Sequence, residues 1–139
     1  MVDYPVPIPG LVIRYGYLWR REAERGRVEG QKHRPCAMVV CVEQIEGELI
    51  VTVAPITRKK PPNTQRAVAL SAATRRRLGL GDQPNWITAT EVNSFCWPGP
   101  DIRPNAQGNY AYGELPAVVF HALVKKILAA EAPTVERSE

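Results

Sequence analysis

The chain has 139 residues, 45% of them hydrophobic and 23% charged, with a formal net charge of +4. That length suits one domain with its own core, and the ordinary balance excludes a disordered or fibrous chain. The charge excess is modest, so its distribution matters more than its size.

The first nine residues carry three prolines and read as an extended N-terminal arm. Gly10 opens Leu11 to Trp19, a run rich in β-branched and aromatic residues that predicts the first strand. Arg20 to His33 is charged, contains Gly26 and Gly30, and reads as a long loop. Long ordered loops in compact domains often carry function. Cys36 to Val42 is a continuous apolar run that predicts a strand buried on both faces. A Glu46-Gly47-Glu48 turn joins it to Leu49 to Ile56, completing a hairpin.

Thr57 to Thr64 is a basic, proline-containing loop, and Ala67 to Leu70 is a short strand. Ser71 is the N-cap expected for a helical turn that ends before Gly79. Trp86 to Phe95 predicts the last strand, followed by a Pro/Gly/Asn-rich loop from Pro98 to Asn109. Leu115 to Ala130 is amphipathic at helical spacing, with Pro116 in its first turn and Pro133 beyond its end. Residues 131–139 read as a tail. Five strands and one closing helix predict a mainly β (β-rich α+β) domain over 10–130, of small, partly open barrel type.

Three cysteines, Cys36, Cys41 and Cys96, form no CxxC pair, and Cys36 and Cys41, inside apolar runs, read as buried small hydrophobes. His33 and His121 lack metal-ligand spacing, and there is no Walker or dinucleotide loop and no GxSxG elbow. Neither a metal nor another cofactor is therefore expected. No apolar stretch approaches the roughly 20 residues of a spanning helix, and no leader pattern opens the chain. A cytoplasmic protein without membrane contact is the expectation.

Basic residues cluster at Arg20 to Arg34, at Arg58-Lys59-Lys60 and at Arg75-Arg76-Arg77. Either these loops meet on one face and attract phosphates, or they are three separately solvated loops. Arg34 heads one strand of the hairpin and Thr57 ends the other, so an antiparallel register can bring them together. A guanidinium fork and a hydroxyl on rigid strand ends suit a phosphate oxyanion. The plainer alternative is a strand cap and a turn residue. Trp19, Trp86, Trp97, Tyr15 and Tyr17 either stack on splayed bases or fill the core. Trp86 reads as core, and Trp97, in its Pro/Gly setting, is open equally to exposure and to burial.

Gly10-Leu11-Val12-Ile13, Arg34-Pro35-Cys36-Ala37-Met38-Val39-Val40 and Val53-Ala54-Pro55-Ile56-Thr57, in that order, resemble the MazF/PemK family of toxin endoribonucleases. The resemblance runs from about Gly10 to Ala130. It implies a CcdB/MazF-like SH3-like barrel, usually a homodimer, paired with an antitoxin protein. It implies metal-independent cleavage of single-stranded RNA by attack of a 2′-hydroxyl. Arg34 and Thr57 match the family's catalytic arginine and threonine. No position matches the family's acid directly; Glu91, the one acid in the stretch Thr88 to Asn93, is the candidate base. Lys32, His33, Arg58, Lys59 and Trp97 are the candidate substrate contacts. Two alternatives stand beside this one: a catalytically inactive nucleic-acid-binding module of the same fold, and a gyrase-directed toxin acting through its C-terminal helix and tail.

Overall fold

The computed structural model describes residues 3–30 and 32–137. Nine strands and three α-helices follow one another. They are β1 (Leu11–Tyr15), α1 (Arg20–Glu24), β2 (Arg34–Glu43), β3 (Leu49–Thr57), β4 (Ala67–Ala69), α2 (Ala72–Leu78), β5 (Trp86–Thr88), β6 (Val92–Trp97), β7 (Ile102–Arg103), β8 (Gly113–Glu114), α3 (Ala117–Ala130) and β9 (Thr134–Glu136). The chain is mainly β, as its sequence indicates.

The strand order β4-β5-β3-β2-β1-β7 has two ends. Strand β3 is the hub: β2 lies along one edge, while β6 and β5 share the other. Leu49 to Val53 pair with β6, and Ile56 and Thr57 pair with β5. Pro55 falls where the partner changes, a position that spares the ladder the amide proton proline lacks. All pairings are antiparallel except β6 with β9.

The central strands are buried on both faces only in part: of the run Cys36 to Val42 that predicts such a strand, Cys36 to Val39 are buried, and the rest of β2 is not. Val12, Ala37, Ala54 and Ile56 enter one core with Leu78 and Leu123 of the helices. Ile13, Cys36, Met38, Val51 and Val53 enter a second core with Tyr15, Tyr17 and Phe95. Neighbouring residues alternate between the two cores because strand side chains alternate between faces. A register shift between Met38 and Val40 shows one extra residue on β2. Met38 and Val39 are buried, leaving Val40 and Val42 as the exposed apolar residues of that run.

Helix α2 forms as expected: the Ser71 hydroxyl accepts from the Thr74 amide, and Gly79 takes the left-handed C-cap position at φ 68°. Arg75 is used structurally, donating to the carbonyl of Leu70 at 2.6 Å. Helix α3 begins after Pro116 and ends at Glu131, where a left-handed residue turns the chain into β9.

Four expectations are corrected. The first strand stops at Tyr15 rather than Trp19. The loop from Arg20 to His33 contains α1, because the Glu22 carboxylate accepts from the Trp19 amide and stabilises a helical turn. The predicted strand Trp86 to Phe95 is two strands, broken at residues 89–91 where β5 and β6 meet different parts of β3. The tail is not loose up to Arg137: β9 pairs with β6, and the Arg137 guanidinium is buried. The N-terminal arm also lies against the domain, with Tyr4 edge-on to Trp97 and Tyr110. No helix among the described residues is long and apolar enough to cross a membrane.

Candidate functional site

The β2–β3 register begins at Cys36 opposite Pro55. Arg34 and Thr57 lie two residues beyond that pair on their strands, at the same end of the hairpin. Both line one open groove of about 990 Å³. Thr57 also pairs with Trp86 of β5, so the turn after β5 brings Thr88, Thr90 and Glu91 to the same groove.

Lys32, Arg34, Arg58 and Lys59 line this groove with Lys60, and Arg21 and Arg66 add two cations. Glu91 is its one carboxylate. Two of the three basic clusters therefore meet, whereas Arg75-Arg76-Arg77 does not reach the groove. Seven cations against one acid leave a strongly positive concavity, which concentrates the attraction for a polyanion.

The Arg34 guanidinium carbon sits 5.2 Å from the centre of the Trp19 ring, and that of Arg21 sits 5.3 Å from it. Arg34 Nε is buried and has no hydrogen-bond partner among the described residues. A buried donor without a partner is costly unless a ligand satisfies it. The Thr57 hydroxyl oxygen accepts from the Lys59 amide at 3.1 Å, a local turn that fixes the side chain and orders the basic loop.

Glu91 is tethered from outside its own strand. Its Oε1 accepts from the Tyr17 hydroxyl at 3.1 Å and from the Arg20 amide at 2.8 Å. Burial first, and the Glu91 charge second, push the Tyr17 hydroxyl far above the ordinary tyrosine range, so it stays a donor. Asn93 fixes the neighbouring chain: it accepts from the Leu18 amide at 2.9 Å and donates to the Leu18 carbonyl at 2.8 Å. That clamp holds the residue next to Trp19. Gly30 completes the wall, since a Cβ there would lie 2.3 Å from the Tyr17 carbonyl oxygen. Only glycine allows so close a backbone approach.

Of the residues expected at the site, Lys32, His33, Arg34, Thr57, Arg58, Lys59 and Glu91 all line the groove. Trp97 does not. It pairs with Leu49, at the far end of the nine-residue β3 from Thr57. At about 3.3 Å per residue that is roughly 25 Å along the strand. It packs against the second core and Tyr4 instead. His33 reaches the groove, but its ring lies against Gly16, whose Cβ position is 3.3 Å from Nε2. Burial, Arg103 and Arg14 lower its pKa, with Asp101 opposing. Trp86 is half-buried and Tyr15 and Tyr17 are buried, leaving Trp19 as the groove's indole.

Arg21, Arg66 and the Tyr17 tether were not singled out by sequence. Arg21 belongs to a recognisable basic cluster, but its selection depends on α1. Arg66 precedes β4 in a short 3₁₀ turn capped by Asn63, whose side chain accepts from the Gln65 amide.

No set of three or more His, Cys, Asp or Glu among the described residues is placed to hold a metal ion. The groove's donor set is cationic, which suits a phosphate ligand. No family model matches this chain, and no curated protein matches it.

Proposed function

We propose that the chain is a MazF/PemK-like toxin endoribonuclease that cleaves single-stranded RNA in the groove at Arg34. The observation that carries this reading is the meeting of Arg34, Thr57 and Glu91 in one groove with six further cations. On this reading the domain is a relative of the SH3-like barrels and acts in the cytoplasm as a homodimer. Its activity is restrained by an antitoxin protein whose acidic segment would cover the basic groove.

The reaction is an in-line displacement. Glu91 accepts the proton of the ribose 2′-hydroxyl through the oxygen not held by Tyr17 and Arg20. The 2′-oxygen bonds to phosphorus, and the bond to the 5′-oxygen breaks as that oxygen takes a proton from solvent water, while Glu91 returns its proton to solvent after the step. Arg34 and the Thr57 hydroxyl donate to the oxyanion of the pentacoordinate intermediate. None of these roles requires a metal. The products are a 2′,3′-cyclic phosphate and a 5′-hydroxyl.

The test is incubation with single-stranded RNA in EDTA. Cleavage is expected, with Arg34→Ala slower by about 100- to 1000-fold. Equal cleavage by both proteins sinks the assignment. A second reading is favoured by the Glu91 anchor, which ties one oxygen to structure: a module that binds RNA without cutting it. Intact RNA bound with steep salt dependence selects that reading. The gyrase-directed reading has little to support it, because β9 builds the C-terminal segment into the sheet. Unaltered gyrase supercoiling in excess protein disposes of it.

A further inference from the structure

Behind Trp19 lies a smaller chamber of about 150 Å³, lined by Tyr17, Trp19, Arg21, Glu22, Lys32 and Arg34. Four of these, Trp19, Arg21, Lys32 and Arg34, also line the large groove, so the two spaces share a wall. We propose that this chamber is a second phosphate site, taking a phosphodiester adjacent to the one held in the groove. The proposal rests on the reading of the groove as an RNA site.

Three cations face one carboxylate in the chamber. That carboxylate is already engaged, since Glu22 Oε1 accepts from the Trp19 amide at 3.1 Å. The chamber is therefore positive where it is open. Its volume is well above the roughly 10–15 Å³ that admits a single water. Arg34 serves both spaces and carries the buried, unpartnered Nε. The indole of Trp19 holds Arg21 and Arg34 at 5.3 and 5.2 Å from its centre, which restrains two otherwise mobile forks. Restrained guanidiniums lose less freedom when they bind, and so bind phosphate more tightly. The Asn93 clamp on Leu18 and the close approach at Gly30 keep this wall in place without a ligand. A single strand that passes Trp19 would thus set one phosphate on each side of the indole, with Arg34 touching both.

The experiment uses an all-2′-deoxy trinucleotide, which resists cleavage and has two internal phosphates. Its affinity is measured for the wild type, Arg21→Ala and Arg34→Ala, with thermal melting as the check on folding. Arg21 is exposed, so its removal leaves the fold intact. Arg21→Ala is expected to weaken binding about ten-fold and to lower the salt slope by about 0.7. Replacing one of the two phosphates with a neutral methylphosphonate should mimic that loss in the wild type and add nothing in Arg21→Ala. Weakening by Arg34→Ala without weakening by Arg21→Ala overturns the chamber and leaves the groove standing. Failure of the wild type to bind any single strand, RNA included, overturns both.

Discussion

Two arginines of this chain sit in similar surroundings and end in opposite states. Arg34 lies 5.2 Å from the Trp19 ring centre, and Arg137 lies 5.3 Å from that of Tyr15. Arg137 is saturated: it donates to the Tyr15 hydroxyl, the carbonyls of Gly16 and Val28, Asn93 Oδ1 and the Asp101 carboxylate. Arg34 has a buried Nε with no hydrogen-bond partner among the described residues and opens on a cationic groove. A guanidinium surrounded by acceptors holds a fold together. One left short of acceptors is available to an anion that arrives later.

The comparison is broken most forcefully at Arg137. Arg137→Ala leaves Asp101 without its ion pair and removes the tie between β9 and the loop after α1. Breaking a buried pair costs about 3–5 kcal/mol. The melting temperature should fall by roughly 10–20 °C. Calorimetry that finds less than a few degrees would place the network among dispensable contacts. Arg34→Ala should do the reverse: RNA cleavage falls by about 2.7–4 kcal/mol of transition-state stabilisation, while the melting temperature stays within a few degrees. A fall in both would erase the distinction.

Tyr17 stands between the two regions, and Tyr17→Phe sharpens the contrast at smaller scale. It removes the donor at 3.1 Å from Glu91 and keeps the packed ring. A hydrogen bond to a charged group is worth about 1.5–3 kcal/mol, and the Arg20 amide retains its own. The lower end of that range is expected in stability. RNA cleavage should fall with it, because the carboxylate is held by one donor instead of two. Unchanged cleavage in Tyr17→Phe would remove Glu91 from the reaction.

The legible parts of this molecule were those written in local chemistry. The apolar run of β2 announced a strand buried on both faces, which holds for Cys36 to Val39 but not for Val40 and Val42, and Ser71 with Gly79 announced α2. That Arg34 and Thr57 belong to the same end of one hairpin was readable because hairpin pairing is a local property, and both line the groove. What escaped depends on contacts distant in sequence. Helix α1 needs the Glu22 carboxylate turned back on the Trp19 amide, and a charged stretch with two glycines gives no such signal. Strand β9 and Arg137 draw their order from acceptors 36 to 122 residues away. Trp97 was misplaced for a related reason: its Pro/Gly surroundings allow exposure, but β6 runs alongside β3 to its far end.

The smallest effect expected is a pH dependence at His33, which precedes β2 and lines the groove with Arg34. Its ring lies against Gly16 and is acted on by Arg103 and Arg14, with Asp101 opposing. Burial is the largest cause, and together these hold its pKa below the ordinary imidazole value of about 6.5. The sign follows from proton counting. Above that value His33 is neutral both folded and unfolded, and contributes nothing. As pH falls through it, the unfolded chain takes up a proton that the folded chain takes up less readily, so stability falls. His33→Asn removes this contribution and leaves the other titrating groups in place. Between about pH 7.5 and about pH 5, the variant's melting temperature should therefore fall less than that of the wild type. Parallel declines would mean that the ring is not held as Gly16 and the two arginines hold it here. The contrast would then rest on Arg34 and Arg137 alone.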